Sequence, residues 1–229
     1  MKIIRFDEIN STNEYAKKLQ EYDENVFILA KKQTSGKGTK GRSFSSNEGG
    51  VYLTKVCIHS NFLAKDAFLI MARTAVAVCK TLEDFSLSPK IKWANDVFVS
   101  NKKICGILIE NVFSGKRIVR SIIGVGLNVN NALPEELEKC ATTMQLEKNE
   151  PLDFQAVENK LIAYLNEEFS MEEYLKRVGY LNEEITFVEN GKGFLAVAVR
   201  VENDGGLVVE TSDGERKVYT GEVSLRLKR

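Results

Sequence analysis

Histidine is nearly missing from this chain. Of its 229 residues only His59 is one, so no site can use two histidine ligands or a histidine relay. The four cysteines, Cys57, Cys79, Cys105 and Cys140, form no C-x-x-C pair. That excludes a zinc ribbon or a thioredoxin-like motif, and isolated thiols with apolar flanks suit a reducing compartment. Net charge is missing too: Lys+Arg and Asp+Glu both number 32. Wholesale attraction to nucleic acid or an acidic membrane is therefore not expected. The first residues, Met1 to Arg5, lack the apolar stretch of a signal peptide. The most apolar stretch, Phe62 to Phe85, is broken by Lys65, Asp66, Arg73 and Lys80 and cannot span a bilayer. The expected compartment is the cytoplasm. Three prolines leave no Pro-rich linker, and there is no internal repeat or low-complexity tract.

What is present is an ordinary globular composition, 43% hydrophobic and 28% charged. A chain of this length buries roughly 70–75% of its unfolded surface and needs no disulfide staples. It suits one large domain or a large and a small one.

Met1 to Asp7 reads as a strand. Ser11-Thr12-Asn13-Glu14 fits a capping box, opening a helix to about Tyr22. Val26 to Ala30 is a buried strand, and a glycine-rich loop runs from Gln33 to Asn47. Val51 to Ile58 alternates as a strand, and Phe62 to Phe85 has helical period. Lys90–Trp93, Val97–Val99, Ile104–Val112 and Ile118–Val129 read as strands, with turns at Ser100-Asn101-Lys102 and Ser114-Gly115-Lys116. Phe154 to Val178 reads as one long amphipathic helix. After Gly179 short strands alternate with turns at Asn190-Gly191, Asp204-Gly205-Gly206 and Asp213-Gly214, the texture of a small SH3-like barrel. The division is placed near residue 180, giving domains 1–179 and 180–229. Lone His59, beside Ser60-Asn61, reads as a solvated loop residue.

The loop Ser35-Gly36-Lys37-Gly38-Thr39-Lys40-Gly41-Arg42 contains G-x-G-x-x-G. A dinucleotide site needs a helix opening at that loop, and here polar residues and then a strand follow. No H-R-D or D-F-G follows for a kinase. Between Glu24 and Glu48 stand five bases, Lys31, Lys32, Lys37, Lys40 and Arg42, and no acid. Glycines let backbone N–H groups converge on an anion, and cations neutralise it. A phosphate-gripping loop and a solvated loop without function both fit that composition.

Lys92-Trp93-Ala94-Asn95-Asp96 ends one strand, and Lys103 opens the apolar strand Ile104 to Glu110. Asn95 and Asp96 fit a turn or a site. Lys103 is either solvated at the strand start or aimed into a cleft. Gly106, Gly124 and Gly126 lie inside strands, where glycine marks a bulge or a close approach by a ligand or another backbone.

In chain order these pieces resemble the biotin–protein ligase family. They are Ser11-Thr12-Asn13, Gln33 to Gly38 with Gly41-Arg42, Glu48 to Thr54, Lys92 to Asp96, Lys103 to Leu108, Gly124 to Asn130 and Gly221 to Arg226. The resemblance implies an α+β fold: a mixed β-sheet catalytic domain backed by helices, of the class II synthetase type, and a small C-terminal SH3-like β-barrel. It implies the monofunctional type without an N-terminal DNA-binding domain. It also implies an ATP-dependent ligase that makes biotinyl-5′-AMP from biotin and MgATP. That ligase then biotinylates a specific lysine of a biotin carboxyl carrier protein.

Carried over residue by residue, Ser11, Thr12, Asn13 and Gln33 would bond the biotin head. Tyr52 and Thr54 would wall its pocket, and Gly106 and Gly124 would give it room. Gly36, Lys37, Gly38, Thr39, Lys40 and Arg42 would close over biotin and phosphates. Lys103 would neutralise the biotin carboxylate and the α-phosphate, with Asp96 and Arg42 beside it in catalysis. Phe44, Asn95, Asn128 and Arg226 would hold ATP, and Asp96 would take Mg²⁺.

The loop departs from the family's usual G-R-G-R-x-G-R at Lys37, which loses the bidentate fork, and at Thr39, which loses the charge. Phe44 replaces a common Trp, and Ala94 a common Pro. A lipoate ligase or octanoyltransferase shares the implied fold, the latter needing a cysteine; Cys105 lies near the pocket but has the flanks of an inert core thiol. A non-enzymatic nucleotide or nucleic-acid binder would show a broader basic face, whereas residues 180–229 carry 7 basic and 9 acidic side chains. An exposed sheet edge would serve a homodimer or dock the carrier.

Overall fold

The computed structural model describes residues 2–19, 26–189 and 191–219, and the backbone of 223–227. The first strand β1 (Lys2–Ile9) pairs in parallel with β2 (Val26–Gln33). Between them lies the short helix α1 (Thr12–Lys18). Then come β3 (Val51–Leu63), the long helix α2 (Ala67–Asp84), β4 (Lys90–Lys92), β5 (Asp96–Val99), β6 (Lys102–Ser114) and β7 (Arg117–Leu127). These strands form one mixed sheet ordered β1-β2-β3-β7-β6-β5-β4.

The helices α3 (Met144–Lys148), α4 (Phe154–Tyr164) and α5 (Met171–Leu175) follow. A second, antiparallel sheet has β8 (Glu184–Glu189), β9 (Lys192–Val201), β10 (Leu207–Thr211), β11 (Gly214–Val218) and β12 (Val223–Leu227), ordered β11-β10-β9-β8-β12. The α+β reading holds.

Helix α2 buries Ala72, Ala75, Val76, Cys79 and Leu82, spaced at one helical face, against one face of the large sheet. Helix α4 lies on the same side: Arg5 on β1 pairs with buried Glu158, and Lys55 on β3 donates to the Leu165 carbonyl at 2.7 Å. The core is continuous with that of the small sheet, since Tyr180, Ile185, Phe187 and Ala198 belong to the same apolar cluster as Ile91, Trp93 and Leu82. Trp93 ties the two together: its Nε1–H donates to the Gly205 carbonyl at 2.9 Å and its backbone N–H to the Tyr180 hydroxyl at 2.8 Å. On the opposite face α1 packs through Ala16 and Tyr15 on a small cluster of Ile4, Phe6, Val26, Ile28, Val56 and Ile122. The remainder of that face is left for a site.

Four expectations change. Strand β3 runs on to Leu63, because Phe62 and Leu63 pair with Ile118 and Arg117, and α2 starts only at Ala67. A short apolar run cannot distinguish the two periods. His59 therefore lies in a strand, half-buried, with Nε2 2.9 Å from Ser121 Oγ. The long helix from Phe154 is two helices, because Ser170 and Glu173 make a full capping box that starts α5 afresh. At α1 only half the expected box forms. Ser11 Oγ accepts from the Glu14 N–H at 3.4 Å, while the Glu14 carboxylate turns to lysines instead. That helix is capped at Leu19, and Tyr22 lies outside the described residues.

Candidate active site

Beside α1 the uncovered sheet face holds a cavity of about 140 Å³. Its floor is Gly106 and Leu108 on β6 and Gly124 and Gly126 on β7. Gly106 and Gly126 are registered partners. A Cβ on Gly126 would come within 2.5 Å of the Phe44 ring, and one on Gly124 within 2.4 Å of Asn13 Oδ1. The space these glycines leave is thus taken by two side chains of the wall, not left empty.

The polar wall is a continuous hydrogen-bonded chain. The Gln33 side-chain carbonyl accepts from the Thr12 N–H at 2.8 Å and from its hydroxyl at 3.1 Å. Gln33 Nε2 donates to Ser46 Oγ at 2.9 Å. The Thr54 hydroxyl lies 2.8 Å from Thr12 Oγ1 and 2.6 Å from Asn13 Oδ1, and Asn13 Nδ2 donates to Glu110 Oε2 at 3.2 Å. Ser11, Thr12, Asn13, Ser46 and Thr54 are all buried. Buried polar groups are costly to leave unpaired, and these hold one another in fixed orientation.

The opposite wall is cationic. Lys37, Arg42 and Lys103 line the cavity with Asn95, and no acid does. Lys103 reaches it through a bulge. Val97 pairs with Cys105 but Phe98 with Lys103, leaving Ile104 as the extra residue. Pairing puts Asp96 on the same side as Gly106, and Phe98 on the same side as Lys103. The bulge therefore turns Lys103 to the face of Gly106, away from the core that alternation would give it. Its ammonium lies 2.7 Å from Asp96 Oδ1 and 5.9 Å from the Phe44 ring centroid. Asn95 Nδ2 donates to Asp96 Oδ1 at 3.1 Å. Burial pushes the neighbouring Lys92 ammonium below the usual lysine range, with Lys103 and Arg42 adding to the shift.

The glycine-rich loop is a small hairpin. Phe44 N–H donates to the Gly36 carbonyl at 2.8 Å and Gly38 N–H to the Arg42 carbonyl at 2.7 Å. Its tip turns through Lys40 and Gly41, both at positive φ. Gly36 is demanded by close approach, since a Cβ there would meet the Phe44 carbonyl at 2.4 Å. Arg42 folds back on Thr39, donating to its hydroxyl at 3.0 Å and its carbonyl at 3.3 Å.

Ser11, Thr12, Asn13, Gln33, Lys37, Gly38, Thr39, Arg42, Phe44, Asn95, Lys103, Gly106 and Gly124 are thus brought together around one cavity. Thr54 lies behind Thr12 and Asn13, and Asp96 behind Lys103. Tyr52 is buried with its hydroxyl on the Asn47 carbonyl and its ring edge-on to Phe44 at 6.5 Å. Asn128 stands apart from the lining, with Nδ2 on the Thr142 carbonyl and Oδ1 accepting from Asn131. Lys40 is exposed at the hairpin tip. Arg226 is opposite Thr186 in the small sheet, its side chain outside the described residues, as are Gly221 and Glu222.

Ser46 and Glu110, which brace the wall, escaped the sequence reading. The signal for Glu110 was a single acid closing an apolar strand.

A mixed sheet with a polar pocket whose lining includes Lys37, Arg42 and Lys103 has the form of a site for small anionic substrates. The chain belongs to the biotin/lipoate A/B protein ligase family, which it matches over residues 5–128. Residues 180–226 match the biotin protein ligase C-terminal domain. The chain is 30% identical over 243 residues to the bifunctional ligase/repressor BirA of Bacillus subtilis, covering 97% of this chain and 74% of that protein. It is 29% identical over 131 residues to the biotin–[acetyl-CoA-carboxylase] ligase of Paracoccus denitrificans, over 54% of this chain and 52% of that one. Among solved structures, a biotin protein ligase of Aquifex aeolicus in complex with biotin and ATP matches with a TM-score of 0.81. The two are 26% identical, with 99% of each chain covered.

Proposed function

We infer that this chain is a biotin–protein ligase that uses biotin and ATP. One observation carries the reading: a buried hydroxyl–amide wall and the side chains of Lys37, Arg42 and Lys103 line a single cavity. Such a wall offers hydroxyl and amide partners to the polar groups of a ligand head. It suits a cyclic urea head and not the apolar ring of lipoate.

In this reading the biotin head bonds Ser11, Thr12, Asn13 and Gln33, with its chain running over Gly106 towards Lys103. A carboxylate oxygen attacks the α-phosphorus of MgATP, the bond to the bridging oxygen breaks, and pyrophosphate leaves. Lys103, Lys37 and Arg42 neutralise the oxyanions that meet, and the hairpin keeps water from the mixed anhydride. An acceptor lysine amine then attacks the acyl carbon, and AMP leaves with the electron pair of the broken C–O bond.

Among the described residues no three His, Cys, Asp or Glu side chains cluster. In this reading magnesium enters with the triphosphate as part of the substrate, and Asp96 would take it, a usual arrangement for this ion.

The acceptor in this reading is a biotin carboxyl carrier domain. Strand β5 pairs only with Lys102–Gly106 of β6, so the outer side of β6 beyond Ile107 offers main-chain pairing to a carrier or to a second copy of the chain. The division near residue 180 into catalytic and small domains belongs to the same reading. So does cytoplasmic placement, which the four free cysteines fit; no helix among the described residues is long and apolar enough to cross a membrane.

Pyrophosphate–ATP exchange with biotin, lipoate and octanoate in turn tests it. Exchange with biotin alone is expected. Exchange with lipoate or octanoate alone would move the chain to the other branch, and no exchange with any acid would remove the adenylation step.

A further inference from the structure

The hairpin that roofs the cavity touches the body of the protein through an ion pair that adenylation chemistry does not require. Lys37 Nζ lies 2.8 Å from Glu14 Oε1 on the first turn of α1. The same oxygen accepts from Lys17 at 2.7 Å, and Lys17 in turn reaches Glu110 Oε1 at 2.7 Å. Glu110 is the residue that also receives Asn13 Nδ2. A row of alternating charges therefore runs from the roof, across α1, to the edge of the polar wall.

Lys37 belongs to the cavity lining, and its ammonium is held by Glu14. It is parked on α1. Two lysines on one carboxylate oxygen is a geometry an ammonium suits, being a point charge that needs no planar partner; a guanidinium fork would claim both oxygens of Glu14 for itself. The lysine at this loop position and the glutamate facing it are thus matched.

We propose that Glu14 is a positioning residue for the closing loop: by holding Lys37 it sets the hairpin over the cavity before any ligand arrives, and so governs how long the acyl adenylate is retained. This rests on the reading of the site as an adenylating one. Glu14 also occupies the first turn of a helix, where any acid is favourable through the helix dipole, and the test must separate the two roles. Glu14→Gln removes both. Glu14→Asp keeps the first-turn charge but withdraws it by one methylene, out of reach of Lys37.

Two readouts apply to both variants. Hydrogen exchange at the amides of residues 36–44 is followed in the ligand-free protein, and escape of biotinyl-AMP is followed by a chase. Both variants are expected to speed loop exchange and adenylate escape by about two- to fivefold, the range an exposed ion pair supports, and Lys37→Met in the Glu14→Gln background is expected to add nothing to the exchange rate. An Asp variant that behaves as wild type while the Gln variant does not would assign Glu14 to the helix and overturn the proposal, as would unchanged loop exchange in both. If the protein makes no biotinyl-AMP, the reading of the site fails, while the exchange arm still decides whether Glu14 holds the loop.

Discussion

Lys103 and Asp96 stand 2.7 Å apart at the mouth of the cavity, and a single bulged residue, Ile104, makes that meeting possible. Asp96 holds the ammonium beside Gly106, where substrate oxyanions would meet. Replacing Lys103 by Met is expected to lower biotin-dependent pyrophosphate exchange by about two to three orders of magnitude, the scale of losing one charge-stabilising donor. Lys103→Arg should recover only part, because a planar fork does not fill the place of a point charge. Wild-type exchange in Lys103→Met would remove this residue from the chemistry.

Gly124 is filled by Asn13, so an alanine there must displace a hydrogen-bonded amide. Overpacking of this kind costs about 1–3 kcal/mol. Expressed at the wall, it should raise the KM for biotin by about tenfold or more and leave that for ATP nearly unchanged. Equal rises in both would place the effect in folding and not in the biotin wall.

Thr39 holds the Arg42 guanidinium through its hydroxyl. Thr39→Val should loosen Arg42, removing the hydroxyl bond and keeping the one to the Thr39 carbonyl, and raise the KM for ATP by about two- to fivefold, a modest effect because the bond is exposed. Thr39→Arg adds a charge while loosening Arg42, and it is expected to slow escape of biotinyl-AMP. An unchanged release rate in a chase experiment would count against the loop as the retaining element.

Burial raises the Cys79 and Cys105 thiols well above the usual cysteine range and pushes Cys57 up as well. A thiol reacts as thiolate, so these three should resist alkylation at pH 8 and become reactive only as the pH rises or the fold opens, whereas exposed Cys140 should be modified first. Adenylation should survive that single modification. Loss of activity tracking with Cys105 would revive an acyl-thioester route.

Arg5 makes a two-point contact with Glu158, whose side chain is 3% exposed. Arg5→Met leaves a buried carboxylate with Gln155 as its one side-chain donor among the described residues. Breaking a fully buried pair costs about 3–5 kcal/mol; half-exposure of the Arg5 side chain reduces this to about 1–3 kcal/mol. Urea unfolding measures it, and the exchange reaction per folded molecule should not change.

Much of this protein was legible in one dimension. Alternation marked the strand at Val51 and apolar runs those around Val26, Ile104 and Ile118, and paired φ-positive residues Ser100 and Asn101 make the two-residue turn between β5 and β6 that their place between two apolar runs suggested. The resemblance picked out segments far apart in the chain, from Ser11 through Gln33 and Lys103 to Gly124, and the fold brings them around one cavity. The tertiary structure alone decided which way they face. A one-residue bulge reverses the side of a strand, and sequence periodicity cannot register a bulge between two buried neighbours such as Ile104 and Cys105. The same holds for Glu14, whose partner Lys37 is 23 residues away: long-range ion pairs follow from how elements pack, and local sequence carries no record of them.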